Sequence, residues 1–109
     1  MGGLHKGHRE LIKTGKRMGE NHKGVVLVSV FVNPLQFGPT EDFNLYPRTL
    51  ESDIELAAAS GASAIWAPCI EEVFPSNDCS IAKLKASSHL QSRLCGKERP
   101  GHFDGVVTV

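Results

Sequence analysis

Apolar residues at Leu11, Ile12 and Met18, with Lys13, Lys16 and Arg17 between them, predict an amphipathic helix over Arg9 to Gly19. Its late basic residues suit the negative C-terminal end of a helix dipole. Gly19 to Gly24 reads as the loop that ends it. Val25 to Val32 is almost wholly apolar and β-branched, the pattern of a strand covered on both faces in a parallel sheet, and Pro34 closes it by withdrawing a ladder donor. Phe37 to Leu50 holds Gly38, Pro39, Pro47, Glu41 and Asp42 and predicts a long irregular loop or a short helical turn. Thr49 is the expected N-cap of a second helix, with Ser52 and Asp53 in its first turn and a stop near Gly61. Ala64 to Pro68 predicts the next strand, so residues 25–68 form one β-loop-α-β unit with an expected right-handed crossover. Beyond it the pattern weakens. Cys69 to Ser80 reads as irregular, Ile81 to Leu84 as a short edge strand, Ser87 to Leu94 as a short helix and Gly96 to Gly105 as loop.

The densest candidate chemistry precedes the first helix, in Met1-Gly2-Gly3-Leu4-His5-Lys6-Gly7-His8. Two histidines three apart at a helix entrance can present both imidazoles where exposed backbone N–H groups attract a phosphate. Glycines at 2, 3 and 7 would let the main chain approach a ligand closely. The same spacing also fits a metal pair or two solvated surface groups.

Composition narrows the partners more than the chemistry. The 109 residues suffice for one modest core, so the chain is one domain or part of one. Twelve basic residues balance twelve acidic ones, which gives no overall charge to favour nucleic acid or an anionic membrane. Cys69, Cys79 and Cys95 are odd in number and lack Cys-x-x-Cys spacing, arguing against a disulfide framework and a structural zinc. With no signal-peptide pattern and no apolar run approaching ~18 residues, the expected location is the cytoplasm. No strand precedes the histidine loop, and the far end stops inside the apolar run Val106-Val107-Thr108-Val109, so the sequence reads as a segment of a longer protein.

The opening resembles the His-x-Gly-His signature of the nucleotidyltransferase superfamily, and its longer form is similar to that of the pantothenate synthetase (pantoate–beta-alanine ligase) family. Three further stretches carry the likeness in the same order: Ser29-Val30-Phe31-Val32-Asn33-Pro34-Leu35-Gln36-Phe37-Gly38, then Glu41-Asp42-Phe43 with Tyr46-Pro47-Arg48, and Arg99-Pro100-Gly101-His102-Phe103-Asp104-Gly105-Val106. The resemblance implies an α/β fold, a Rossmann-like (HUP-type) parallel sheet with flanking helices, here incomplete. Residues 1–109 would be part of an N-terminal nucleotide-binding domain, with the C-terminal domain absent. It also implies ATP as substrate, Mg2+ riding on its phosphates, (R)-pantoate and beta-alanine as the other substrates, and a homodimeric parent without nucleic-acid or membrane partners.

The site residues follow from the same resemblance. His5 and His8 would contact the ATP phosphates, with His8 as proton donor, inside a nucleotide-binding stretch of Met1, Gly2, Gly3, Leu4, His5, Lys6, Gly7 and His8. Lys6 holds the variable position and is read as solvated. Gln36 would hold pantoate, since a side-chain amide both donates and accepts. Asn33 and Phe31 are further candidates for that pocket, Phe31 as an apolar wall. Arg99, His102 and Phe103 belong to an element beside the site and receive no chemical step. Arg48 is read as an anion contact or a fold-stabilising hydrogen bonder, Trp66 and the cysteines as core or surface residues, and His22 and His89 as solvated. The later lysine and Ser-Ser-Arg segments that grip phosphates in full-length members are not among these residues. The alternatives are therefore an inactive nucleotide-binding remnant or another adenylyltransferase of the superfamily. Some family members are joined to a cytidylate kinase, and the sequence leaves that open here.

Overall fold

The computed structural model describes residues 2–20, 22–39, 41–75 and 82–109, arranged as two compact units. Met1, Cys79 and Ile81, each named above, lie outside the described residues.

The first unit, Met1–Val32 with Pro47–Pro68, contains the two strands and the helix of the expected β-loop-α-β unit, while residues 33–46 of its loop belong to the second unit. Helix α1 (Lys6–Glu20) leads to strand β1 (Leu27–Ser29), and helix α2 (Leu50–Ala59) to strand β2 (Ala64–Trp66). The strands are parallel, with Leu27 opposite Ala64, Val28 opposite Ile65 and Ser29 opposite Trp66. Val30 N–H extends the pairing by donating to the Trp66 carbonyl at 2.9 Å. Ile12 of α1 and Ala57 of α2 are the unit's buried apolar residues. The C-terminus of α2 is a complete Schellman closure: Gly61 N–H reaches the Ala58 carbonyl and Ala62 N–H the Ala57 carbonyl, both at 3.0 Å. Gly61 takes φ +97°, a left-handed value that only glycine adopts cheaply.

The long strand predicted over Val25 to Val32 is corrected to three residues, and Leu27 is 61% exposed rather than covered on both faces. Among the described residues β2 is its only ladder partner, and β2 itself is three residues long. Thr49 sits at the N-cap of α2 as expected, but its side chain makes no capping bond.

The second unit, Asn33–Tyr46 with Cys69–Val109, is built from short turns. Two 3-10 turns, Pro34–Gln36 and Phe43–Leu45, are followed by α3 (Ile70–Val73), α4 (Ser88–Gln91), α5 (Cys95–Glu98) and α6 (His102–Thr108). Three expectations are corrected here. The irregular stretch after Cys69 contains α3, started by a capping box in which Glu72 accepts from Cys69 N–H at 2.7 Å. The loop expected over Gly96 to Gly105 holds all but the first residue of α5 and the first four residues of α6, and no strand forms over residues 82–84. The helix expected over Ser87 to Leu94 is the single turn α4.

What holds this unit is the packing of α6 on the first 3-10 turn. Asn33, 2% exposed, donates through Nδ2 to the Gly105 carbonyl at 3.0 Å and accepts from Leu35 N–H through Oδ1 at 3.1 Å. Asp104 fastens the segment before α4, accepting from Ala86 N–H at 2.7 Å and from Gln91 Nε2 at 2.9 Å. Phe37 stacks edge-on against Phe43 and Tyr46 at 5.3 and 5.8 Å. The backbones approach so closely that a Cβ on Gly105 would lie 2.1 Å from the Leu35 carbonyl oxygen. Gly105→Ala is therefore expected to cost about 2 kcal/mol or more, read as a fall in Tm, since backbone on both sides must move. An unchanged Tm would show that α6 is not clamped at this point.

Candidate active site

The histidine loop is set by a carboxylate on another element. Asp53, in the first turn of α2 and 1% exposed, accepts from Gly3 N–H at 2.9 Å through Oδ2 and from Leu4 N–H at 2.6 Å through Oδ1. Both oxygens are thereby spent on backbone. Gly2 and Gly3 run at φ +91° and +65°, the left-handed turn that delivers these two amides to one carboxylate. Sequence reasoning placed Asp53 only in the favourable first turn of a helix. The signal it missed was a tertiary contact that no local pattern encodes.

His5 and His8 then cap α1 reciprocally. His5 Nδ1 accepts from Gly7 N–H at 3.1 Å, and His8 Nδ1 accepts from His5 N–H at 3.3 Å. This is the logic of a capping box with imidazoles in place of a hydroxyl and a carboxylate. The rings lie 4.2 Å apart between centroids, tilted by 53°. Because a backbone N–H can only donate, each Nδ1 must be the bare acceptor, and each neutral ring carries its proton on Nε2. The loop thus presents two N–H donors of fixed tautomer. Gly7 is required by the ring beside it: a Cβ there would sit 2.9 Å from His5 Cε1. Lys6 is exposed, as expected.

Partial burial, followed by the charge of His5, pushes the His8 pKa below its usual 6.5, with Asp53 opposing. His8 is thereby held in its neutral Nε2–H form to lower pH than a free imidazole. With both Nδ1 atoms accepting from amides, a metal at this pair would have to bind through Nε2 and displace its proton. Among the described residues no group of three His, Cys, Asp or Glu could hold an ion.

Gln36 and Asn33 lie in the second unit, on the first 3-10 turn; Phe31 belongs to the first unit and is half-buried. Gln36 is 8% exposed, and its Oε1 accepts from Asn33 Nδ2 at 3.3 Å. Asn33 is occupied in holding Gln36, Leu35 and Gly105. Arg99 forms an ion pair with Glu41, whose other oxygen accepts from Gly38 N–H at 2.6 Å. Arg99, followed by that N–H, keeps the Glu41 carboxyl below its ordinary range. His22, His89, Arg48 and Trp66 are exposed.

The family model for pantoate-beta-alanine ligase matches residues 1–109. The chain belongs to that family. It is 61% identical over its whole length to the bifunctional pantoate ligase/cytidylate kinase of Prochlorococcus marinus (strain MIT 9313) and covers 22% of that protein. The like-named protein of Synechococcus sp. (strain CC9605) is 58% identical, again over 100% of this chain and 22% of its own length. Among solved structures, pantothenate synthetase from Thermus thermophilus is 42% identical with a TM-score of 0.87, covering 99% of this chain and 37% of that one. Pantoate-beta-alanine ligase from Francisella tularensis, complexed with beta-gamma ATP and beta-alanine, is 37% identical with a TM-score of 0.83 over 99% of this chain and 39% of that one. The chain thus spans about a fifth of the curated relatives it matches. The α/β frame of a parallel strand pair with flanking helices agrees with these structures.

Asp53→Ala is expected to release Gly3 and Leu4, accelerating exchange of those two amides and costing about 3 kcal/mol, the value of charge-assisted bonds lost to buried donors. Asp53→Asn, which keeps one acceptor, should lie between. Unchanged exchange in both would mean that the loop holds itself. In an NMR titration His8 should protonate below 6.5, and its midpoint should rise in His5→Gln, which deletes a neighbouring positive charge. Since folding lowers this pKa, the neutral ring's contribution to stability is complete above 6.5 and is lost as pH falls through the folded value.

Proposed function

We propose that this chain supplies the histidine loop and the pantoate-binding turn of an ATP-dependent ligase that joins (R)-pantoate to beta-alanine, releasing AMP and pyrophosphate. The observation that carries the reading is the pair of imidazoles locked as Nε2–H donors at the start of α1, inside a family match over the whole chain.

In the first half-reaction the pantoate carboxylate attacks the α-phosphorus of ATP, forming pantoyl adenylate and expelling pyrophosphate. The negative charge that builds on the phosphate oxygens meets two pre-set N–H donors and the positive end of the helix dipole, so little reorganisation is needed at the moment of reaction. His8 and His5 each donate an Nε2–H hydrogen bond to the phosphate oxygens on which charge builds as pyrophosphate departs. Gly2, Gly3, Leu4 and Gly7 provide the backbone along which the nucleotide lies, with Met1 and Lys6 in the same stretch. Gln36 orients pantoate through its amide, Asn33 fixes that amide, and Phe31 contributes the apolar wall. In the second half-reaction the beta-alanine amine attacks the acyl carbon and AMP leaves. The gain comes from positioning and charge stabilisation, without a covalent enzyme intermediate.

Mg2+ belongs to this reading as a companion of the triphosphate. The described residues do not form a protein cage for it, because the carboxylate nearest the loop, Asp53, already accepts from two amides. Such an ion would be held by phosphate oxygens and water. No helix among the described residues is long and apolar enough to cross a membrane; the ligase is proposed to act in the cytoplasm as a homodimer.

The test is AMP release by the full-length product of the gene encoding these residues, with Mg-ATP, pantoate and beta-alanine. AMP should appear only when both organic substrates are present, and His8→Ala should lower kcat by about a hundredfold or more, as loss of a pre-set hydrogen-bond donor to the transition state does. Nucleotide binding without AMP formation would favour the inactive remnant instead.

A further inference from the structure

We propose that His102 and Arg99 are positioning residues for Gln36, acting through its main-chain carbonyl to aim its side chain at the substrate; this rests on the reading of Gln36 as the pantoate ligand. His102 Nδ1 lies 2.7 Å from the Gln36 carbonyl oxygen and Arg99 Nη2 donates to the same oxygen at 3.3 Å. A carbonyl oxygen only accepts, so His102 Nδ1 carries a proton. In the neutral ring Nε2 is then the acceptor, and Arg99 Nη1 stands 3.4 Å from it.

One guanidinium therefore touches the glutamine carbonyl, the histidine that shares that carbonyl, and Glu41. Glu41 in turn holds Gly38, two residues past Gln36. The turn is gripped from both sides of the glutamine. The carbonyl plane and the Cα–Cβ bond of one residue are linked by a single backbone torsion, so two donors on the carbonyl fix the direction in which the side chain leaves. Asn33 Nδ2 on Oε1 then fixes its far end. A glutamine that only filled the turn would not need an arginine and a histidine on its backbone oxygen together. The arrangement suits a long side chain that must be held still before its ligand arrives, since ordering it beforehand removes that cost from binding.

The experiment compares His102→Phe, which keeps an aromatic ring and deletes the donor, with His102→Asn, whose side-chain amide N–H stands the same number of bonds from Cα as Nδ1. Both are made in the full-length enzyme, and KM for pantoate and for ATP is read separately in the pantoate-dependent exchange of pyrophosphate with ATP. H102F should raise the pantoate KM about tenfold, the scale of one lost buried hydrogen bond, and leave the ATP KM within about twofold, while H102N recovers most of the loss. Parallel rises in both KM values, or an H102N no better than H102F, would overturn the proposal and leave the ring a packing element. Should H102F fail to accumulate, Arg99→Lys decides: it keeps a cation for Glu41, withdraws the Nη2 donor, and should also raise the pantoate KM selectively. An unchanged pantoate KM there overturns it. Gln36→Ala separates the two levels. If it leaves pantoate saturation intact, the reading of Gln36 itself fails; if it abolishes saturation while His102 and Arg99 variants behave as wild type, only the positioning role fails.

Discussion

A buried carboxylate spent entirely on backbone is the constraint from which the histidine loop follows. Asp53 makes no ion pair among the described residues and satisfies both oxygens with the amides of Gly3 and Leu4. Such a group is tolerable inside a protein only when its hydrogen bonds are made, so the loop and the first turn of α2 form together or not at all. Once Gly3 and Leu4 are pinned, His5 enters at the start of α1, its carbonyl accepts from Arg9 N–H at 3.0 Å, and the two imidazoles close over the helix end. The tautomers of both rings are consequences of this capping, and so is the direction in which their protons face. The loop proposed to bind a nucleotide rests on a carboxylate of its own, turned inward and met by amide dipoles rather than by a countercharge.

The second unit solves a similar problem by different means. Its regular elements are one or two turns long, with little hydrophobic core among the described residues, Ala86 being its buried apolar residue. Order comes from side chains that bond to backbone: Asn33 to Gly105 and Leu35, Asp104 to Ala86, Arg99 and His102 to Gln36. Polar networks of this kind specify one arrangement because each partner left unmatched is costly. They also make the unit sensitive to single polar substitutions that a larger apolar core would absorb.

Much of the first unit was legible because its signals are local. The spacing of Leu11, Ile12 and Met18 gives α1, and the end of α2 at Gly61 follows from the one residue type that takes its backbone angle freely. The histidine loop was recognisable from the spacing of His5, Gly7 and His8. The role of Asp53 was not, because a carboxylate in the first turn of a helix looks the same whether it faces water or reaches a segment some fifty residues away. The extent of β1 was overestimated because β-branched runs report local preference, while strand length depends on partners. In the second unit α3, α5 and α6 were missed for a physical reason. Helices of four to seven residues cannot show an amphipathic period, and their starts use Cys69, Leu94 and Gly101, which carry little capping signal.

The ring of His5 lying over Gly7 explains the form of the motif as well as its function. In His-x-Gly-His the unspecified position is Lys6, whose side chain leaves the helix into solvent, so almost any residue fits there. The specified glycine next to it is not needed for an unusual backbone angle, since Gly7 is absent from the positive-φ residues of the chain. It is needed because an imidazole occupies the volume of its missing methyl group. The four-letter pattern is thus a steric imprint of one folded-back ring. A sequence that kept both histidines but carried alanine between them would retain its reactive groups and lose the posture that makes them donors.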